Sequence, residues 1–127
     1  MKKIIGVLLF IFVVASMSFT TQKECRKYFS GKWKYVKYDV DYIYVVRDDK
    51  KQFAYMENGK YYYEFDITWL TECNYELTYV GTNSPNAAAA EIGEKFTVEL
   101  ITVNDSITEY KTVFRDLEDV GKMVRIE

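Results

Sequence analysis

Histidine is absent from this chain. That removes at once the commonest metal ligand and the commonest general base, and with them a haem site built on a proximal histidine. A serine or cysteine nucleophile would have only carboxylates or lysines to activate it. Proline occurs once, at Pro85, in a loop where no ladder hydrogen bond is lost. Neither sign of charge dominates, with 17 basic against 19 acidic residues interspersed along the chain. Such a balance leaves no electrostatic footprint for nucleic acid. The longest apolar run, Ile4–Ala15, has 12 residues, short of the roughly 20 that a membrane span needs.

That run is informative in its own right. Lys2 and Lys3 precede it and Ser16, Met17 and Ser18 follow, the layout of a secretory signal with a cleavage site among small residues. Residues 1–18 are therefore expected to be a Sec-type signal peptide and residues 19–127 a single domain of 109 residues. Processing would remove two lysines, leaving 15 basic against 19 acidic residues and a net charge of −4. It would deliver the domain to the periplasm or the exterior, with no membrane span left. In that oxidising compartment the only two cysteines are expected to pair as Cys25–Cys73.

What the chain has in abundance is alternation. In Lys60–Val80, Tyr61, Tyr63, Phe65, Ile67 and Trp69 share one face while Tyr62, Glu64, Asp66 and Thr68 share the other. After Leu70-Thr71-Glu72 the pattern resumes with Cys73, Tyr75, Leu77 and Tyr79. Period-two alternation over that length predicts half-buried strands joined in an antiparallel hairpin. The same signature predicts strands at 32–38, 42–47, 52–57, 95–103, 107–114 and 122–126. Asn58-Gly59 is the strongest turn signal, suited to a type I′ turn with positive φ at both central residues.

Eight short strands in sequential hairpins, with no crossover helix, predict an all-β, eight-stranded, antiparallel up-and-down β-barrel. Closure removes both exposed edges, which favours the barrel over the alternative, a two-sheet β-sandwich. The turns at 48–50, 70–72 and 104–106 are tight and fall at one end. The connections 39–41, 58–59, 81–94 and 115–121 fall at the other. One end is then closed and the other can carry lids, with Gly81–Gly93 as the expected lid. Cys25 precedes the first strand and Cys73 begins the fifth, so both belong to the closed end.

Gly31-Lys32-Trp33, opening the first strand behind Phe29-Ser30, resembles the N-terminal Gly-x-Trp signature of the lipocalin-like (calycin) superfamily. Together with ENGKYYYEFDITWLTECNYEL, it is similar to small secreted lipocalin-like proteins of Bacteroidetes. The resemblance implies that Trp33 lies in the barrel floor and that Arg125, near the end of the last strand, packs across it. Trp69 is expected at the same floor.

Catalytic constellations are nearly missing. Glu64 and Asp66 stand at i, i+2 but on the wet face, where a solvated pair is the simpler reading. Asp48-Asp49-Lys50-Lys51 lacks calcium-ligand spacing. No catalytic residue, metal site or cofactor is expected, and the domain reads as a non-enzyme. The candidate binding surface is the barrel interior, for a small, mainly apolar ligand. Its expected wall comprises Tyr55, Tyr61, Tyr63, Phe65 and Tyr75, continuing with Tyr79, Phe96, Tyr110 and Phe114. Each buried phenol needs a hydrogen-bond partner, so a Tyr-rich wall suits a ligand with a few polar groups. Two alternatives stand beside this reading. Aromatic bulk can simply fill a narrow barrel, and the chain can instead be a protein–protein interaction module, such as an inhibitor of an envelope enzyme. The face assignment in the first two strands is open, because Trp33/Tyr35 and Val36/Tyr38 cannot all point inward without a bulge.

Overall fold

The alternating segments do fold as strands, and the strands close on themselves. The computed structural model describes residues 24–38, 40, 42–85 and 91–127; the expected signal peptide lies outside them. Its strands are β1 (Gly31–Tyr35), β2 (Tyr44–Arg47), β3 (Lys51–Met56), β4 (Tyr61–Trp69), β5 (Asn74–Thr82), β6 (Lys95–Val103), β7 (Ile107–Phe114) and β8 (Leu117–Arg125). Each pairs antiparallel with the next, and β8 pairs with β1, giving a closed up-and-down barrel with no unpaired outer strand. No helix among the described residues is long and apolar enough to cross a membrane.

The closed end is tied by short polar side chains that satisfy the turn backbone. Asp48 Oδ1 accepts from the Lys50 and Lys51 amides at 2.7 and 2.8 Å. Asn104 Oδ1 accepts from Ser106 and Ile107, both at 2.9 Å. Thr71 Oγ1 accepts from Cys73 and Asn74. Beneath the strands, a 3-10 turn over Cys25–Tyr28 tucks Cys25 and Phe29 under the barrel, both buried. The Cys25–Cys73 disulfide is formed there, with Cα atoms 5.2 Å apart. It fits an oxidising, extracytoplasmic compartment.

Two packed layers result. Phe29, Ile67, Tyr75, Leu77, Val98 and Leu100 form one cluster with Cys25 near the floor. Trp33, Val45, Ala54 and Met123 form the other, on the side where β8 meets β1. Bulges leave Val80 and Ile101 as extra residues, re-aiming the ends of β5 and β6.

The structure departs from the alternation in three places. In β3 the inward residues are Gln52, Ala54 and Met56, whereas Phe53 and Tyr55 face out. Ala54 stands opposite Tyr63 in the ladder, and that small–large pairing is what a narrow interior accommodates. Outside, Tyr55 stacks on Tyr44 at 5.1 Å and on Phe53 at 6.0 Å, with Tyr62 edge-on to both. Second, residues 115–121 are not a long loop. Arg115 and Asp116 form a tight turn with positive φ at both (50° and 64°), and β8 starts at Leu117. Third, Asn58-Gly59 does turn the chain, but positive φ extends over Glu57, Asn58 and Gly59 in a one-turn 3-10 element instead of a two-residue turn.

Candidate ligand cavity

The interior is not filled. A cavity of about 450 Å³ lies inside the barrel, within the size range of small-molecule sites. Its walls are apolar where long strands face each other. Phe65 (β4), Leu77 (β5), Phe96 and Val98 (β6) and Phe114 (β7) line one side, and Ala54 and Met56 (β3) and Met123 (β8) the other. Phe96 and Phe114 stack in parallel, ring centroids 4.1 Å apart, and Phe65 stands edge-on to Phe96 at 5.6 Å.

The mouth follows from strand length. β1 ends at Tyr35 and its ladder to β8 covers Arg125, Val124 and Met123, extended by the Val36 amide donating to the Lys122 carbonyl at 3.0 Å. Leu117–Gly121 of β8 therefore has no β1 residue beside it, and the cavity opens through that gap between Lys37, Tyr38, Asp119 and Val120. Apolar side chains crowd this rim. Leu117 and Val120 are 72% and 68% exposed, and Val36 and Tyr38 are also on the surface. Gly121 makes room here: a Cβ at this position would run into the hydroxyl end of the Tyr110 ring, which would have to move.

The deep end is polar. Tyr35, Tyr75 and Tyr110 reach the cavity from β1, β5 and β7, accompanied by Gln52. Burial raises the pKa of all three phenols, that of Tyr35 to about 12; neighbouring phenols add to the rise at Tyr35 and Tyr110, whereas Arg47 opposes it at Tyr75. Below them lies Arg47, 2% exposed, sandwiched between the rings of Phe29 (3.9 Å) and Trp33 (4.7 Å). Its Nε donates to the Phe29 carbonyl at 2.6 Å and its Nη2 to Thr108 Oγ1 at 2.7 Å. Burial pulls its pKa down to about 10 against the opposing pull of the Tyr75 and Tyr35 phenols.

The floor itself is an aromatic and guanidinium stack. Arg125 lies over the Trp33 ring at 4.4 Å, on a site that only a glycine at position 31 leaves open. Trp33 Nε1 donates to the Phe29 carbonyl at 3.1 Å. Trp69 packs edge-on against Phe29 at 4.8 Å and donates to the Asp49 carbonyl.

Of the expected wall, Tyr63, Phe65, Tyr75, Phe96, Tyr110 and Phe114 meet around the cavity. Tyr79 is buried behind Phe65 and Tyr63 and does not reach it. Tyr61 shares the inward parity of Tyr63 but sits above, at the end of β4. Tyr55 is on the outside, for the reason given above. The expected lid is only partly described: Gly81 and Thr82 belong to β5, and residues 86–90 lie outside the described set. Glu64 and Asp66 are held on the outer surface by Lys51 Nζ at 2.6 and 2.9 Å.

Sequence reasoning missed Arg47, Gln52, Tyr35 and Tyr38. Tyr42–Arg47 is apolar on both parities, so alternation does not say which face is dry. The available signal was Arg47 itself, which shares the parity of Val45 and takes its inward direction from it. Comparison of the chain with protein-family models, curated proteins and solved structures finds no match.

Proposed function

We propose that this chain is a lipocalin-like carrier, secreted or periplasmic, that holds one small, mainly apolar ligand in its interior without catalysis. The observation that carries the reading is the open cavity of about 450 Å³, apolar along its walls, polar at its deep end and entered through a fixed gap beside β8. A barrel serving only as a scaffold gains by filling such a space, since an unfilled apolar volume forfeits packing contacts. The disulfide and the N-terminal apolar run support an extracytoplasmic location.

A second reading, a protein–protein interaction module, draws on the exposed apolar side chains at the rim, Leu117, Val120 and Tyr38. One experiment separates the two. A lipophilic, environment-sensitive fluorophore should bind the oxidised domain at one equivalent, and Ala54→Phe, which fills the cavity opposite Tyr63, should abolish that binding without unfolding the barrel. If the fluorophore binds Ala54→Phe as well as the parent, the interior is not the site. If it fails to bind the parent and native mass spectrometry of the protein from its own host shows no small molecule, the carrier reading is wrong.

A further inference from the structure

Arg47 is a buried cation with no carboxylate paired to it among the described residues. Its Nη1 is buried and has no hydrogen-bond acceptor, although Nε and Nη2 both do. No ion pair to Arg47 or Arg125 is present among the described residues, and Arg125 adds a second positive charge nearby. Buried charges are ordinarily paired, because a low-dielectric interior leaves an uncompensated ion poorly solvated. The groups acting most strongly on the guanidinium are the phenols of Tyr75 and Tyr35, and both line the cavity. Tyr110 completes the group from β7, its hydroxyl end close to Gly121 of the neighbouring β8. Among the described residues Asp119 is the only carboxylate on the cavity surface, and it sits at the mouth, exposed to solvent.

We propose that the deep end of the cavity is an anion subsite, and that the ligand is an amphiphile whose single carboxylate is bound by the hydroxyls of Tyr35, Tyr75 and Tyr110 over the Arg47 guanidinium. The phenols donate hydrogen bonds to the carboxylate, and Arg47, which lies beneath the cavity lining, supplies the compensating charge through them. The tail then runs up between Phe65, Phe96 and Phe114 towards the gap beside β8. One buried guanidinium matches a monoanion. A phosphate monoester, near two negative charges at neutral pH, would leave excess charge in the interior. The inference rests on the carrier reading and adds to it the chemical class of the ligand.

The test is displacement of a lipophilic fluorophore from the full oxidised domain by dodecanoate, dodecan-1-ol and dodecyl phosphate at neutral pH. Dodecanoate should displace the probe at about tenfold lower concentration than the alcohol, the size of effect expected for one charge-assisted contact. Arg47→Met should bring the ratio close to one while leaving affinity for the alcohol in place. Tyr110→Phe, which touches none of the hydrogen bonds of Arg47, should lower the ratio severalfold and keeps the question answerable should Arg47→Met fail to fold. Equal displacement by acid and alcohol overturns the anion subsite and leaves the carrier reading standing. An unchanged acid preference in Tyr110→Phe also overturns it, as does tighter binding of dodecyl phosphate than of dodecanoate. Failure of the parent to bind the probe or any of the three removes both.

Discussion

Arg125 offers the most direct test of how the floor is held. Its Nε donates to the Asp105 carbonyl at 2.6 Å, Nη2 to Tyr28 at 2.6 Å and Nη1 to Ser30 at 2.9 Å, while the guanidinium plane lies over Trp33 at 4.4 Å. One side chain thus ties the last strand to the segment on either side of Phe29 and to the β6–β7 turn. Those carbonyls can rehydrate when the side chain is removed, so each bond is credited at the low end, roughly 0.5–1 kcal/mol, and the cation–π contact at about 1 kcal/mol. Arg125→Ala should therefore cost about 3 kcal/mol, a downward shift in Tm of the order of 10–20 °C for a domain this size. Arg125→Lys keeps the charge but not the three-way fork, and should recover only about a third of the loss. Gly31→Ala should be as damaging as Arg125→Ala, because its Cβ would occupy the place of the guanidinium and Gly31 has φ +133°. Urea unfolding with the disulfide intact measures all three, provided the slope with denaturant is unchanged. A cost below about 1 kcal/mol for Arg125→Ala, or full rescue by lysine, would refute the idea that the hydrogen-bond fork holds the floor.

Two further outcomes follow from the same packing. Replacing both cysteines with serine removes a link across a sequence separation of 48, and should lower stability by about 4 kcal/mol in the chain-entropy model, read as a fall in urea midpoint; an unchanged midpoint would mean that the 24–30 segment is held by Arg125 and Trp33 alone. The raised phenols set an alkaline limit. Since the folded pKa of Tyr35 lies near 12 and its ordinary value is 10, the neutral form is favoured in the folded state, so its contribution is complete below pH 10 and is lost as the pH rises through 12. Ultraviolet titration should show Tyr35, Tyr75 and Tyr110 ionising only together with unfolding, and free, reversible ionisation of all twelve tyrosines near pH 10 in the folded domain would contradict the burial described here.

The sequence carried the architecture because β4 to β6 have a wet face and a dry face, and because closure is the simplest way to hide two edges. Lys95–Leu100 reads correctly residue by residue: Phe96, Val98 and Leu100 inward, Lys95, Thr97 and Glu99 outward. The disulfide was legible from cysteine number and compartment alone. What alternation did not carry lies on one side of the barrel. In β3, aromatic residues occupy the outward parity, where Phe53 and Tyr55 pack on Tyr44 and Tyr62, and the inward parity holds Gln52 and Ala54. In β2, Arg47 is turned into the core. In β8, Leu117–Gly121 reads as a polar loop because the strand borders the open gap and is wetted on both faces.

The misreadings in β2, β3 and β8 fall on neighbouring strands around β1, and their placement has a physical cause. A barrel built only for stability would put its bulk inside and its charges outside on every strand, as β4 to β6 do. β2, β3 and β8 break that rule together, and their exceptions gather around a single volume: Gln52 in its lining with Arg47 buried beneath, Ala54 leaving room in its wall, Gly121 admitting the Tyr110 ring and Val120 at its mouth. Local rules that fail independently would fall at random around the sheet. Rules that fail around one cavity mark where packing has been given up for something else. The Lys60–Val80 hairpin, the most regular alternation in the chain, supplies one apolar wall of that cavity through Tyr63, Phe65, Tyr75 and Leu77, and the strands hardest to read from sequence supply the wall across from it.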